Sequence, residues 1–254
     1  MQIKVALLFS GQARFFDSES FDSIKKYILD KYNCDTFCHF WWDNGIGLKY
    51  ECSPWSGFNE IPIRPDTFKK LYELYKPKSI NWDFPLSREK SDFGYKTIHV
   101  NSPYNIRSMY TSLQHVYNQF EEYCLQNNTK YDFVIRIRYD SIIKSFPDLT
   151  KLNNEYLYVY DKYRNKELYP EEVYPGINNI CVNECWLTNQ ENAKQLFQIK
   201  NHIFDLYSTI DVISDEQLFT EYIKQLNIKV KKCDETIFHT EIPKNTTNSN
   251  FVKE

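Results

Sequence analysis

The sequence predicts an α/β fold, with a mostly parallel central sheet and helices on both faces. Three observations point to it. Short apolar runs of strand length alternate with stretches whose apolar residues recur at helical spacing, giving β-α-β-α-β-α-β over the first half. The first run, residues 3–9 (IKVALLF), is almost continuously apolar, as a strand covered on both faces must be. Residues 131–140 (YDFVIRIRYD) alternate with period two. Val134, Arg136, Arg138 and Asp140 fall on one face of that strand, and Phe133, Ile135 and Ile137 on the other.

Each element follows in order. The run 3–9 ends at a turn, Ser10 to Arg14 (SGQAR). A helix is expected over 19–32, with Phe21, Ile24, Ile28 and Tyr32 at helical spacing, and a second strand over 34–41 (CDTFCHFW). Residues 43–64 hold Gly45, Gly47, Pro54, Gly57 and Pro62 and read as a long loop. Asp66 is placed to cap a helix over 67–76, with Phe68, Leu71 and Tyr75 inward. A short strand near 79–83 and a loop over 84–100 come next. Ser102-Pro103 starts a helix with Ile106, Met109, Tyr110, Leu113, Val116, Tyr117, Phe120 and Cys124 on one face. That helix leads through Asn127 and Asn128 into the arginine-bearing strand. Strands over 156–160 and 180–187 flank a loop over 161–179, and a helix is expected over 190–206. Ser214 to Gln217 (SDEQ) is a capping-box sequence opening a helix with Leu218, Phe219, Tyr222, Ile223 and Leu226 inward. A last strand occupies 228–233, and the chain closes in a polar tail over 243–254.

Bulk properties narrow the function. The chain has 254 residues, enough to bury a sizeable core. Lys and Arg number 31 against 34 Asp and Glu, a net charge of −3, which disfavours nucleic acid as a partner. Any anion site must therefore be local. No run of roughly 20 apolar residues suggests a transmembrane segment, and the N-terminal run is too short for a signal peptide. Seven cysteines without a CxxC pair suit reduced thiols and a cytoplasmic location.

Ligands of parallel sheets bind at the carboxyl ends of the strands, so those exits hold the candidates. At the first, Gly11 permits close backbone approach and Arg14 can hold a phosphate, beside Ser10; a plain turn is the bland alternative. At the second, Asp43 can bind ribose hydroxyls, while His39 reads equally as a core histidine. Arg107, near a helix N-terminus, is either a solvated charge or an anion contact. Arg136 and Arg138 can neutralise a diphosphate, and Asp140 can hold a bridging cation; a buried ladder of ion pairs is the competing account. Asp215 and Glu216 lie in a helix's first turn, where acids are favoured anyway, but either can act as a general base. His239 is a further possible metal ligand.

The order of these pieces resembles a family of small sugar-transferring proteins from bacterial surface-polysaccharide clusters and large DNA viruses. The resemblance rests on the SGQAR turn, the CDTFCHFW strand, YDFVIRIRYD and the later DEQL helix, and covers roughly residues 3–43, 103–143 and 213–233. It is similar to glycosyltransferases of the GT-A type. That implies one domain over 1–242, with residues 1–143 as a Rossmann-like, nucleotide-sugar-binding half and 144–242, with mixed strands, on the acceptor side. It implies transfer from a nucleotide-diphosphate sugar to a hydroxyl of a glycan acceptor, in polysaccharide biosynthesis. It also implies Mn2+ or Mg2+ at an Asp-x-Asp motif. Here only the last aspartate of that motif is matched, by Asp140 after Arg138 and Tyr139. The alternatives are a nucleotidyl- or sulfo-transferase using the same sheet edge, against which the lack of a Gly-rich loop weighs, and a non-catalytic glycan-binding module.

Overall fold

The computed structural model describes residues 3–43, 49–51, 60–92, 103–162, 181–210 and 214–243. In chain order, the first half runs β1 (Lys4–Phe9), α1 (Glu19–Ile24), β2 (Asn33–Trp41), β3 (Lys49–Glu51), β4 (Glu60–Pro62), α2 (Thr67–Tyr75), β5 (Ser79–Asp83) and α3 (Pro103–Asn127). It continues with β6 (Phe133–Ile137), β7 (Ile142–Ser145), β8 (Leu157–Tyr160), β9 (Cys185–Thr188), α4 (Gln190–Leu196), α5 (Ile203–Tyr207), α6 (Asp215–Leu226), β10 (Val230–Cys233) and β11 (His239–Glu241).

Seven strands form the central sheet in the order β10-β8-β9-β6-β1-β2-β5. β1 pairs in parallel with β2 and β6, and β2 with β5. β9 runs antiparallel to both β6 and β8, and β10 is parallel to β8. This is the mostly parallel sheet that the sequence leads one to expect, with its reversed strand in the C-terminal half.

Period-two alternation along these strands feeds two cores. Ala6, Leu8, Phe37, Val134, Leu157, Val159 and Trp186 face α3, α4 and α6. Val5, Leu7, Phe9, Cys38, Phe40, Phe133, Ile135 and Ile137 face α1 and α2. Both faces are thus covered, which is why β1 carries almost no polar residue. The helix α3 buries Ile106, Tyr110, Leu113, Val116, Tyr117, Phe120 and Cys124 against the sheet. It ends where Asn128 takes a left-handed conformation, φ 46°. Ser214 caps α6 by accepting the Gln217 amide at 3.1 Å.

Several expectations are corrected. The helix begun at Glu19 passes into a π-turn over Lys25–Leu29, and β2 already starts at Asn33. The expected loop over 43–64 contains the antiparallel pair β3 and β4. Asp66 makes no side-chain cap to α2, because its carboxylate is held by Arg64 at 3.1 Å, and Phe68 points outward, 39% exposed. The helix expected over 190–206 is broken by a 3-10 turn at Ile199–His202. β7 and β11 form an unforeseen antiparallel pair beside the main sheet. Ser102, the tail from residue 244 and most of the 161–179 loop lie outside the described residues. The six described cysteines are free thiols, five of them buried.

Candidate functional site

Because β1, β2, β5 and β6 run in parallel, their carboxyl ends share one edge, and β9 enters from that same edge. The residues after β6 build its centre. Arg138 lies one step past Ile137, and a tight turn, Ser141 N–H to the Arg138 carbonyl at 3.2 Å, folds Asp140 back beneath it. Arg138 donates from Nε and Nη2 to the two Asp140 oxygens at 2.9 and 3.0 Å. Arg14, at the exit of β1, donates to Asp140 Oδ2 from the other side at 2.6 Å. The carboxylate is almost wholly buried, 1% exposed. Burial alone would raise its pKa, but Arg138 and then Arg14 outweigh that and hold it at about 2. Two guanidiniums thus converge on one carboxylate at the sheet edge.

Arg136 adds a third guanidinium. One turn of the alternation earlier, it is 1% exposed and donates Nη1 to the carbonyls of Asn183 and Glu184, which lead into β9. Its Nε has no hydrogen-bond partner among the described residues. Burial, with Arg138 nearby, lowers its pKa to about 10. This guanidinium is bonded to carbonyls rather than to a carboxylate, while the Asp215 charge acts on it. The ladder of ion pairs considered for this strand therefore exists at Arg138 but not at Arg136.

Across the edge stands the start of α6. Tyr110 of α3 donates its hydroxyl to the Asp215 carbonyl at 3.0 Å and receives the Asn183 amide at 3.3 Å, tying α3, α6 and the entry to β9 together. Asp215 acts electrostatically on both Arg136 and Arg138. Glu216 beside it has its pKa pushed well up, first by burial and then by the Asp215 charge. Glu184 is held below the usual range against its burial, by Lys162 at 3.1 Å and by Arg138.

The exit of β1 connects to a second cluster. Gly11 has φ +102°, a conformation L side chains rarely adopt, and its amide donates to Ser112 Oγ of α3 at 2.7 Å. Ser112 Oγ lies 2.6 Å from Nδ1 of His39, in β2. His39 Nε2 lies 2.9 Å from Asp83 Oδ2, at the end of β5, and His115 Nδ1, one turn along α3 from Ser112, lies 2.8 Å from the same oxygen. His39 is buried, and burial lowers its pKa to about 4 despite Asp83. Two imidazoles and a carboxylate so arranged could hold a metal ion.

The predicted residues thus divide. Ser10, Gly11, Arg14, Arg136, Arg138, Asp140, Asp215 and Glu216 gather at the carboxyl edge. Ser10 is buried with its hydroxyl unpartnered. Asp43 follows the end of β2. Arg107 is neither solvated nor open to an anion, since Asp92 grips it at 2.9 and 2.7 Å and Glu89 and the Ser87 carbonyl complete its shell. His239 sits on β11, stacked on Tyr160 at 4.9 Å. Among the described residues, Asp140 and His239 do not join in a group of metal ligands. Asp140 alone, with both oxygens taken by arginines, does not suit Mn2+ or Mg2+, which need several free oxygen ligands. Sequence reasoning passed over Asp83, Ser112 and His115. The one signal is Ser112, His115 and Gln119 at helical spacing on α3, and it gives no sign of Asp83.

No protein-family model and no curated protein matches the sequence. Two solved structures that align with it are of the glycosyltransferase GlyE from Streptococcus pneumoniae TIGR4. The apo form is 12% identical with a TM-score of 0.44, over 91% of this chain and 45% of GlyE. The other gives 10% identity and a TM-score of 0.43, over 92% of this chain and 45% of GlyE. The chain spans less than half the length of the GlyE chains it aligns with. A likeness at that level carries nothing about activity, so the functional reading rests on the site.

Proposed function

We propose that this chain is a glycosyltransferase that moves a sugar from a nucleotide-diphosphate donor to a hydroxyl of a glycan acceptor. The observation that carries the reading is the gathering of three guanidiniums at the carboxyl edge of a parallel sheet. Arg14 and Arg138 flank one carboxylate, and Arg136 lies behind them, bonded to carbonyls. Such an edge suits a diphosphate, and charge-assisted bonds from arginine are its usual partners.

In this mechanism Arg14 and Arg138 bind the donor's diphosphate and stabilise the charge that grows on it as the glycosidic bond breaks. Asp140 keeps both guanidiniums aimed and their side chains ordered. Gly11 lets the ligand approach the β1 backbone. Burial, and then the Asp215 charge, push the Glu216 carboxyl well up. Asp215 or Glu216, as a carboxylate, takes the proton of the acceptor hydroxyl as it attacks. No step runs through a cation at Asp140, since the arginines supply the positive charge.

The test is donor-dependent release of nucleotide diphosphate from a panel of nucleotide sugars, with and without EDTA. Release that persists in EDTA supports the arginine-based reading. Binding of a donor without release under any acceptor supports a glycan-binding module instead. Failure to bind every nucleotide sugar sinks the proposal.

A further inference from the structure

We infer that His39, Asp83 and His115 form a transition-metal site, distinct from the Arg14–Asp140–Arg138 cluster and built to leave part of the metal's coordination sphere open. It stands on its own geometry and does not depend on the donor reading.

The three ligand atoms converge. His39 Nε2 and Asp83 Oδ2 are 2.9 Å apart, His115 Nδ1 and Asp83 Oδ2 2.8 Å, and the two ring nitrogens 3.2 Å. A metal with bonds of about 2.1 Å places neighbouring ligands about 3.0 Å apart in an octahedron and about 3.4 Å apart in a tetrahedron. The triangle matches one face of an octahedron, the arrangement of two histidines and one carboxylate on three positions with the others free. Without a metal the triangle is poorly satisfied. A His39 that gives its Nδ1–H to Ser112 meets Asp83 Oδ2 with the Nε2 lone pair, acceptor against acceptor.

The ligands come from three elements, so the fold sets their positions. β2 and β5 are adjacent, with Trp41 paired to Asp83, and α3 lies across them. Ser112 supplies the outer support that a ligating histidine requires. Its Oγ can accept the His39 Nδ1–H, which turns the Nε2 lone pair toward the centre. The same oxygen takes the Gly11 amide, so the backbone at the β1 exit fixes it. The His39 side chain is 1% exposed, whereas Asp83 and His115 are 52% and 38% exposed, which gives an entry path from solvent. Imidazole ligands select Zn2+, Co2+, Ni2+ or Fe2+ over Mg2+ and Ca2+, which prefer oxygen.

The experiment is Co2+ titration of the full-length, chelator-stripped protein, followed by its visible absorption. The site predicts saturation at one equivalent, displacement by Zn2+ and none by Mg2+. Asp83→Ala, at an exposed position, and His115→Ala, at a half-buried one, abolish the spectrum, and Ser112→Ala weakens binding about 10- to 100-fold. X-ray absorption of the loaded wild-type protein reads two imidazoles directly and does not depend on any variant folding. No spectrum from the wild type overturns the inference. So does a spectrum that survives in both folded ligand variants, or a metal shell lacking imidazole.

Discussion

Asp140→Asn tests the electrostatic core of the site. The substitution keeps the shape of the side chain and removes the charge that two arginines share. Asp140 is buried, so no solvent screening softens the loss. Its pKa falls from 3.8 to about 2 in the folded chain. That depression corresponds to roughly 2–3 kcal/mol of stability at neutral pH. Breaking a buried ion pair from one side costs about 3–5 kcal/mol, so the expected loss lies between about 2 and 5 kcal/mol. The pH dependence has a definite direction. Folding lowers this pKa, so the contribution is complete above the ordinary value of 3.8 and is lost as pH falls to about 2. Urea unfolding at neutral pH and down an acid series reads both effects. The wild type should lose stability steeply in acid, and the variant should start lower and lose less. Equal stability at neutral pH, or identical acid slopes, would refute the placement of Asp140 between Arg14 and Arg138.

Other outcomes follow from the same geometry. Glu216→Gln or Asp215→Asn should cut turnover about 100- to 10,000-fold while leaving donor affinity unchanged. Turnover in the wild type should rise with pH as Glu216, pushed well up by burial and by the Asp215 charge, loses its proton, and Glu216→Gln should move that limb; an unmoved pH profile would remove Glu216 from proton transfer. Gly11→Ala should destabilise by about 1–3 kcal/mol in a denaturant melt, through backbone strain, because an added Cβ meets nothing within 4 Å. A variant as stable as the wild type would mean that the positive φ is not held.

Much of the frame was legible because its signals are local. The run 3–9, the alternation in 131–140 and the apolar stripe of α3 each report on their own neighbours, and each became the expected element. The edge assembly was legible too, since parallel order alone brings the exits of β1 and β6 together. What escaped depends on distant pairing. β7 and β11 are short and find each other across about a hundred residues, so neither carries a pattern of its own. Asp66 has the right chemistry for a cap, but Arg64 outcompetes the backbone for it. Arg107 reads as exposed until Asp92 closes on it. Asp83 and His115 are separated from His39 by 44 and 76 residues, and no spacing rule links them. Arg136 marks a different limit. The sequence announces a charge on a buried face, but only the fold shows it meeting carbonyls rather than carboxylates.

Calorimetric titration of nucleotide diphosphates into the wild type and into Arg14→Ala and Arg138→Ala tests the central claim most directly. A diphosphate gripped by these guanidiniums should bind the wild type and lose about 10- to 100-fold in affinity in each variant, with the nucleoside monophosphate weaker throughout. Absence of binding to every nucleotide diphosphate, or affinities indifferent to both arginines, would contradict a donor site at the carboxyl edge.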